Sequence, residues 1–298
     1  RFIAHLMRVL LLGASGFIGR SLVSKVPANI ELTGTYNTNK PDFGKINIEQ
    51  LDYLDVNIDW LQIVEKYQCI IVAARANAGT ETVREEISKR AQSAFEQLTK
   101  AVIESKSKPF IVALNGSLSY GHRAEESVKT GDKINPTGFA RSYAIAEKPF
   151  RDFLALTNKI AIIRAPWVIG PGSWFYQMYL EPDKIPIIGQ GKQWVSVVSV
   201  EGLAEFVWQV VESQRNGILH PKLIYRCRQK EFASLVKEVT KKQTHKLGRF
   251  KLMWMEKQMR ESVLASIKLD DCMGNQSENQ TSKMNLKSAI EEIYSGFS

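Results

Sequence analysis

A chain of 298 residues is long enough for one large α/β domain or for a large domain carrying a smaller lobe, and its 44% hydrophobic and 24% charged residues are ordinary for a globular protein without a membrane span. The net charge of +9 admits acidic partners, but Lys and Arg are scattered and form no zinc-finger or homeodomain-like pattern, so they read as a solvated basic surface and argue against a nucleic-acid partner. Cys69, Cys227 and Cys272 lack paired spacing, and His5, His122, His220 and His245 lack ligand spacing, which disfavours a disulfide framework and a metal site and points to the cytoplasm or another reducing compartment.

Residues 1–6 precede Met7 and are set apart as a leader remnant or tail. From there short apolar runs alternate with helical periodicity, the rhythm of a doubly wound parallel sheet. Arg8 to Leu12 reads as a buried first strand, and a helix from Phe17 is stopped by Pro27. Ile30 to Thr35 reads as strand two and Cys69 to Ala74 as strand four. A long amphipathic helix fits Thr82 to Ser105, followed by strand five from Phe110 to Leu114. A helix over Thr137 to Leu156, kinked at Pro149, leads to strand six at Ile160 to Arg164. Beyond Pro166 the rhythm loosens. Helical patterns return at Glu201 to Ser213 and Glu231 to Lys242, and Lys237 to Arg260 reads as a packed helix with a wet face. Gly274 to Lys283 reads as a polar loop and Asn285 to Tyr294 as a last helix. The sequons at Asn115, Asn275 and Asn279 read as chance matches. The expected division is a Rossmann domain over 7–165 and a smaller α/β lobe over 166–298, with about 195–215 returning to the first domain.

The glycines Gly13, Gly16 and Gly19 stand between the first strand and its helix. A tight turn there needs unusual dihedrals, a pyrophosphate needs backbone approach without a Cβ, and the helix N-terminus offers it positive potential. A third glycine lets helix and strand pack closely. In that setting Gly13, Ser15, Gly16, Phe17, Ile18 and Gly19 are candidates for holding a dinucleotide. An NAD site usually carries an acid at the end of strand two for the ribose hydroxyls. Here Asn37, Thr38 and Lys40 stand there instead, and Arg20 follows the glycines. Amide, hydroxyl and cation suit a 2′-phosphate, so NADP is expected ahead of NAD.

With its three-three glycine spacing, the sequence resembles the extended short-chain dehydrogenase/reductase superfamily, the nucleotide-sugar epimerase, dehydratase and reductase group. Gly34-Thr35-Tyr36-Asn37 is similar to the dTDP-4-dehydrorhamnose reductase branch. Ile70 to Ala74 resembles the family's strand-four motif, which implies that Ala73 and Ala74 lie beside the cofactor. Arg164 to Gly172 resembles the segment after strand six and adds Pro166, while Asn47 and Ile48 complete the expected cofactor set. Val198 to Ala204 resembles the lead-in to the late helix.

The family's chemistry implies a phenol activated by a lysine four residues later, with a Ser or Thr hydroxyl on the substrate oxygen. Pro136, Ser142 and the Ala146-Glu147 pair agree on a register that places Phe139 at the tyrosine and Tyr143 at the lysine. The other register makes Tyr143 the tyrosine but puts Glu147 at the lysine. Counting back from Gly121 puts Gly116 at the hydroxyl, with Ser117 adjacent. Ser117 and Tyr143 are therefore the remaining catalytic candidates. Two functions follow. In one, the standard chemistry is lost and the dinucleotide serves structurally, as a sensor or in a complex. In the other, an atypical NADP-dependent reductase or epimerase acts on a nucleotide sugar or another small carbonyl, with Ser117 or Ser119 polarising it. Trp167, Trp174, Phe175, Tyr176 and Trp194 read as pocket lining or as core. The two long helices suit a homodimer interface of the kind this family forms.

Overall fold

A computed structural model describes residues 6–44, 46–75, 78–270 and 278–297. The leader expectation for residues 1–5, Cys272 and the sequon at Asn275 lie outside them. The chain forms two compact units, one of residues up to 115, 142–163 and 204–219, the other of 116–141, 164–203 and 220 onward.

The first unit is built on β1 (Met7–Leu12), β2 (Ile30–Tyr36), β3 (Asn47–Gln50), β4 (Cys69–Val72), β5 (Phe110–Gly116), β7 (Ile160–Ala165) and β11 (Gly217–Leu219). They form one parallel sheet in the order β11-β7-β5-β4-β1-β2-β3. This is the Rossmann arrangement. The order reverses at β1, flanked by β2 and β4, and a ligand crevice opens beyond the carboxyl ends of strands at such a point. Helices α1 (Phe17–Ser24), α2 (Trp60–Val64) and α3 (Glu81–Glu104) connect the strands. Thr80 caps α3 by accepting from the Val83 amide at 3.4 Å. Its buried stripe includes Ala91, Phe95, Leu98 and Val102, spaced by one helical turn. Phe95 stacks on Tyr53 at 5.4 Å and meets Phe150 at 4.8 Å.

Helix α4 (Ala140–Leu156) starts three residues later than the expected Thr137. Gly138 has a φ of +55°, and a Cβ there would stand 2.1 Å from the Ser262 hydroxyl, so the turn before the helix is set by close packing. Pro149 lies inside α4, where its missing N–H leaves the Ile145 carbonyl without its helical donor, and the Arg151 guanidinium bonds the neighbouring Ala144 carbonyl at 3.2 Å. Strand four ends at Val72 rather than Ala74, while strand five continues to Gly116.

The second unit carries β6 (Ser127–Val128) paired with β14 (Lys268–Leu269). It also holds a three-stranded sheet of β8 (Trp167–Ile169), β10 (Trp194–Ser199) and β12 (Tyr225–Arg228), and a pair of β9 (Lys184–Ile188) with β13 (Gln243–Leu247). Helix α5 (Val200–Ser213) follows β10, and α6 (Gln229–Thr240), α7 (Arg249–Met253), α8 (Lys257–Leu264) and α9 (Gln280–Phe297) complete the chain. Lys237 to Arg260 is therefore not one helix. Lys241 adopts a left-handed conformation with φ +60° and ends α6, after which β13 pairs with β9. The polar stretch ending at Lys283 is helical from Gln280, and its residues 274–277 are outside the described set.

The aromatic run is core. Phe175, Tyr179 and Phe232 are buried together, with Trp167, Trp174 and Tyr176 packed against them. The cavity beside Trp167 and Trp174 has a volume of about 20 Å³, the space of a single water rather than a sugar. Trp194 instead lies between Arg228, 4.0 Å from its ring, and Lys268 at 4.5 Å.

A buried polar triplet also braces this unit. His220 bonds the Asp270 carbonyl through Nδ1, which must donate because a carbonyl only accepts; Nε2 then accepts from the Tyr120 hydroxyl at 2.7 Å. Burial holds the imidazole below its ordinary value of 6.5, with nearby Arg164 adding to the effect. A lowered folded value means that the unfolded chain binds the proton first. Stability from this site is complete above pH 6.5 and declines as pH falls toward the folded value. The melting temperature is expected to drop between pH 7 and pH 5, and His220→Gln is expected to flatten that slope while lowering stability at pH 7. Thermal melts across pH check this, and a parallel slope in the variant would refute it.

Candidate functional site

The site in the first unit starts at the turn after β1. Gly13 has a φ of +89°, and its amide donates to the Thr35 hydroxyl at 3.1 Å. The Ala14 amide donates to the Thr35 carbonyl at 3.0 Å, so β2 fixes the turn from one side. A Cβ on Gly13 would stand 2.7 Å from the Ala74 backbone, and one on Gly19 only 2.1 Å from the Gly13 carbonyl oxygen. Gly13 and Gly19 are thus demanded by the fold itself. Gly16 is different: it is exposed, its φ is −75°, and its Cβ would meet nothing nearer than the Gly13 oxygen at 3.4 Å. Gly16 caps α1 without a side-chain hydrogen bond, and the first turn holds no acid. The helix therefore presents backbone N–H groups and positive potential beside an open backbone, which fits an anionic pyrophosphate. Ser15, Phe17 and Ile18 lie half-exposed around it.

At the end of β2, Asn37, Thr38 and Lys40 are exposed, and the Asn37 carbonyl accepts from Gln50 at 2.9 Å. Arg20 returns to the glycine turn, its Nε donating to the Ser15 carbonyl at 3.0 Å and its guanidinium lying 5.7 Å from the Phe43 ring. Asn47 and Ile48 open β3, where the Ile48 side chain packs toward the glycine at position 34 and Asn47 is exposed.

Ala73 and Ala74 follow β4, and the Ala73 amide bonds the Leu12 carbonyl at 3.0 Å. The structure thus brings the glycine turn, the end of β2 and this alanine pair together. The next residue was not anticipated. The guanidinium of Arg75 lies 3.7 Å from the ring centroid of Tyr143, one turn into α4. This is close cation–π contact between a phenol and a positive charge. Glu147, four residues after Tyr143, is 3% exposed and faces other partners: it accepts from the Asn115 amide and from Arg151 at 2.9 Å. Its charge is compensated there.

The remaining candidates belong to the second unit. Phe139 precedes α4, and its amide donates to the Ser262 hydroxyl at 3.0 Å. Ser117 opens the 3₁₀ turn Ser117–Tyr120 and is buried, as is Pro166. Ser119 is fully buried and accepts from Arg164 at 3.2 Å, which commits it to packing. Among the described residues, no three His, Cys, Asp or Glu side chains gather to hold a metal ion, and no helix is long and apolar enough to cross a membrane.

A model of the NAD dependent epimerase/dehydratase family matches residues 9–222. No curated protein matches the sequence. Among solved structures, the human epimerase family protein SDR39U1 (isoform 2) with NADPH is similar with a TM-score of 0.74 and 18% identity, over 97% of this chain and 99% of that one. UDP-N-acetylglucosamine 4-epimerase from Methanobrevibacter ruminantium M1, in complex with UDP-N-acetylmuramic acid, gives 0.74 and 17%, over 98% of each chain. UDP-glucuronic acid 4-epimerase from Bacillus cereus, in complex with UDP-glucuronic acid and NAD, gives 0.73 and 14%, over 98% and 100%. At these identities the likeness is one of fold.

Proposed function

The chain belongs to the NAD dependent epimerase/dehydratase family, and on that premise we propose that it is a dinucleotide-dependent reductase or epimerase of a nucleotide-linked sugar or another small carbonyl compound. Tyr143, and not residue 139, handles the proton in this reading. The observation that carries it is the stacking of Arg75 on Tyr143, one residue beyond the alanine pair that abuts the glycine turn. Family chemistry needs a phenol and a cation. Here the cation comes from the segment after β4 instead of from α4.

The open backbone at Gly16 and the uncapped start of α1 fit the pyrophosphate, with Gly13 and Gly19 shaping the cradle. Exposed Asn37, Thr38 and Lys40, with Arg20 nearby, favour NADPH over NADH. The human structural relative holds NADPH, whereas the Bacillus cereus epimerase holds NAD with its UDP-sugar. When bound, the reduced nicotinamide supplies a hydride to the carbonyl carbon. Tyr143 gives its phenolic proton to the carbonyl oxygen, Arg75 meets the negative charge left on the phenol, and water returns the proton.

The register that aligns Pro136, Ser142 and the Ala146-Glu147 pair favours a second reading, a cofactor-holding protein without turnover, because it sets Phe139, which has no proton to exchange, at the family's tyrosine. Calorimetry with NADPH and NADH, followed by NADPH absorbance in the presence of nucleotide sugars and simple carbonyls, separates the two. The expected result is tighter binding of NADPH and carbonyl-dependent oxidation. Binding without oxidation of any carbonyl would move the protein to the second reading, and absence of binding would overturn both.

A further inference from the structure

Helix α7 has its apolar face on the outside. Phe250, Met253 and Trp254 are spaced i, i+3 and i+4, so they share one side of the helix. They are 84%, 67% and 90% exposed. Leu252, on another side, is buried with Ile188 and Val263 and anchors the helix to the second unit. The orientation is therefore fixed by packing.

The charge around this face is of one sign. Between Lys241 and Arg260 there are seven Lys and Arg against a single acid, Glu256. Lys246, Arg249, Lys251 and Lys257 are exposed. The Glu256 carboxylate caps α8, accepting from the Met259 amide at 2.9 Å. An exposed Phe–Met–Trp face within a run of cations has the composition of an interfacial helix: apolar side chains enter the boundary between headgroups and acyl chains, tryptophan settles at headgroup level, and lysines meet anionic lipids.

We propose that α7 and its flanking cations form a docking surface for an anionic phospholipid membrane, with Phe250, Met253 and Trp254 entering the interface. This makes the protein peripheral, held on a membrane surface without a spanning segment, and it is independent of the reaction assigned to the first unit. A nucleic acid would also meet the cations, but the methionine has no ring to stack on a base and the three side chains offer one indole N–H to read an edge. Lipid is the occupant that uses all three.

The test is co-sedimentation of the full chain with phosphatidylcholine vesicles, with and without phosphatidylserine, at low and high salt. Binding is expected only with phosphatidylserine and is expected to weaken with salt. Phe250→Ser/Trp254→Ser should weaken it by about 100-fold, roughly tenfold per aromatic residue, without changing the melting temperature or dinucleotide binding. Lys246→Glu/Lys251→Glu should also weaken it, by at least about fivefold per charge. Val56→Ser, at a 78% exposed residue elsewhere, should bind vesicles as the parent does. The proposal is overturned if phosphatidylserine vesicles fail to pellet the protein at low salt, or if the aromatic pair is replaced without effect. It is equally overturned if those variants abolish a dimer, or oligonucleotide binding, in a protein that ignores vesicles.

Discussion

Gly19→Ala is expected to cost about 3 kcal/mol or more of stability and to abolish dinucleotide binding. Its Cβ would lie 2.1 Å from the Gly13 oxygen and 2.8 Å from the Ala14 backbone, and backbone atoms cannot swing aside as the end of a side chain can. Relief requires the turn to move away from α1, which dismantles the pyrophosphate cradle. Gly16→Ala makes the complementary case. Its nearest contact, 3.4 Å, is ordinary, so the fold should lose less than about 1 kcal/mol, the cost of a poorer helix cap. Dinucleotide affinity should nevertheless fall at least about tenfold, because the new methyl stands where the pyrophosphate approaches. Denaturant melts and calorimetry on both variants read the two effects separately. Undiminished binding by Gly16→Ala would remove the pyrophosphate from that position.

Tyr143→Phe is expected to lower kcat for carbonyl reduction by about 10²–10³-fold with little change in KM, the signature of a lost proton donor. Arg75→Gln should cost less, about tenfold in kcat, through loss of the charge stacked on the ring as the proton leaves. A purely structural arginine would lower stability and leave kcat unchanged. The pair Phe139→Tyr/Tyr143→Lys rebuilds the family's arrangement. If Tyr143→Phe keeps full turnover, the proton does not pass through residue 143; if the parent is inactive and the rebuilt pair gains activity, those two positions are what silences the site.

The strands and the glycine turn were legible because local pattern determines them. A buried run such as Val9 to Leu12, bounded by Gly13, admits few other conformations. Helix α4 was legible from its apolar spacing, although it begins at Ala140 rather than Thr137. Arg75 was not legible. Its partner lies 68 residues away in sequence, and a stacked cation leaves no periodic trace. The stretch Lys237 to Arg260 misled because Leu, Met, Trp and Phe occur there at helical spacing. Spacing tells which residues share a face, and burial then depends on neighbours far along the chain. Strands β3 and β11, four and three residues long, fall below the length at which alternation can be read.

The segment order of the first unit has a consequence for the protein's synthesis. Strand β7 belongs to a sheet whose outer strand, β11, begins only at Gly217. Some 54 residues must leave the ribosome after Ile163 before that strand exists, an interval of about 3–10 s at ordinary translation rates. Throughout it Ile160 to Ile163, four consecutive apolar residues, stand at an edge without their neighbour, the state in which strands recruit other chains. Nascent chains stalled between these two points should therefore be the species most dependent on chaperones, and slowing translation there should lower the yield of native protein.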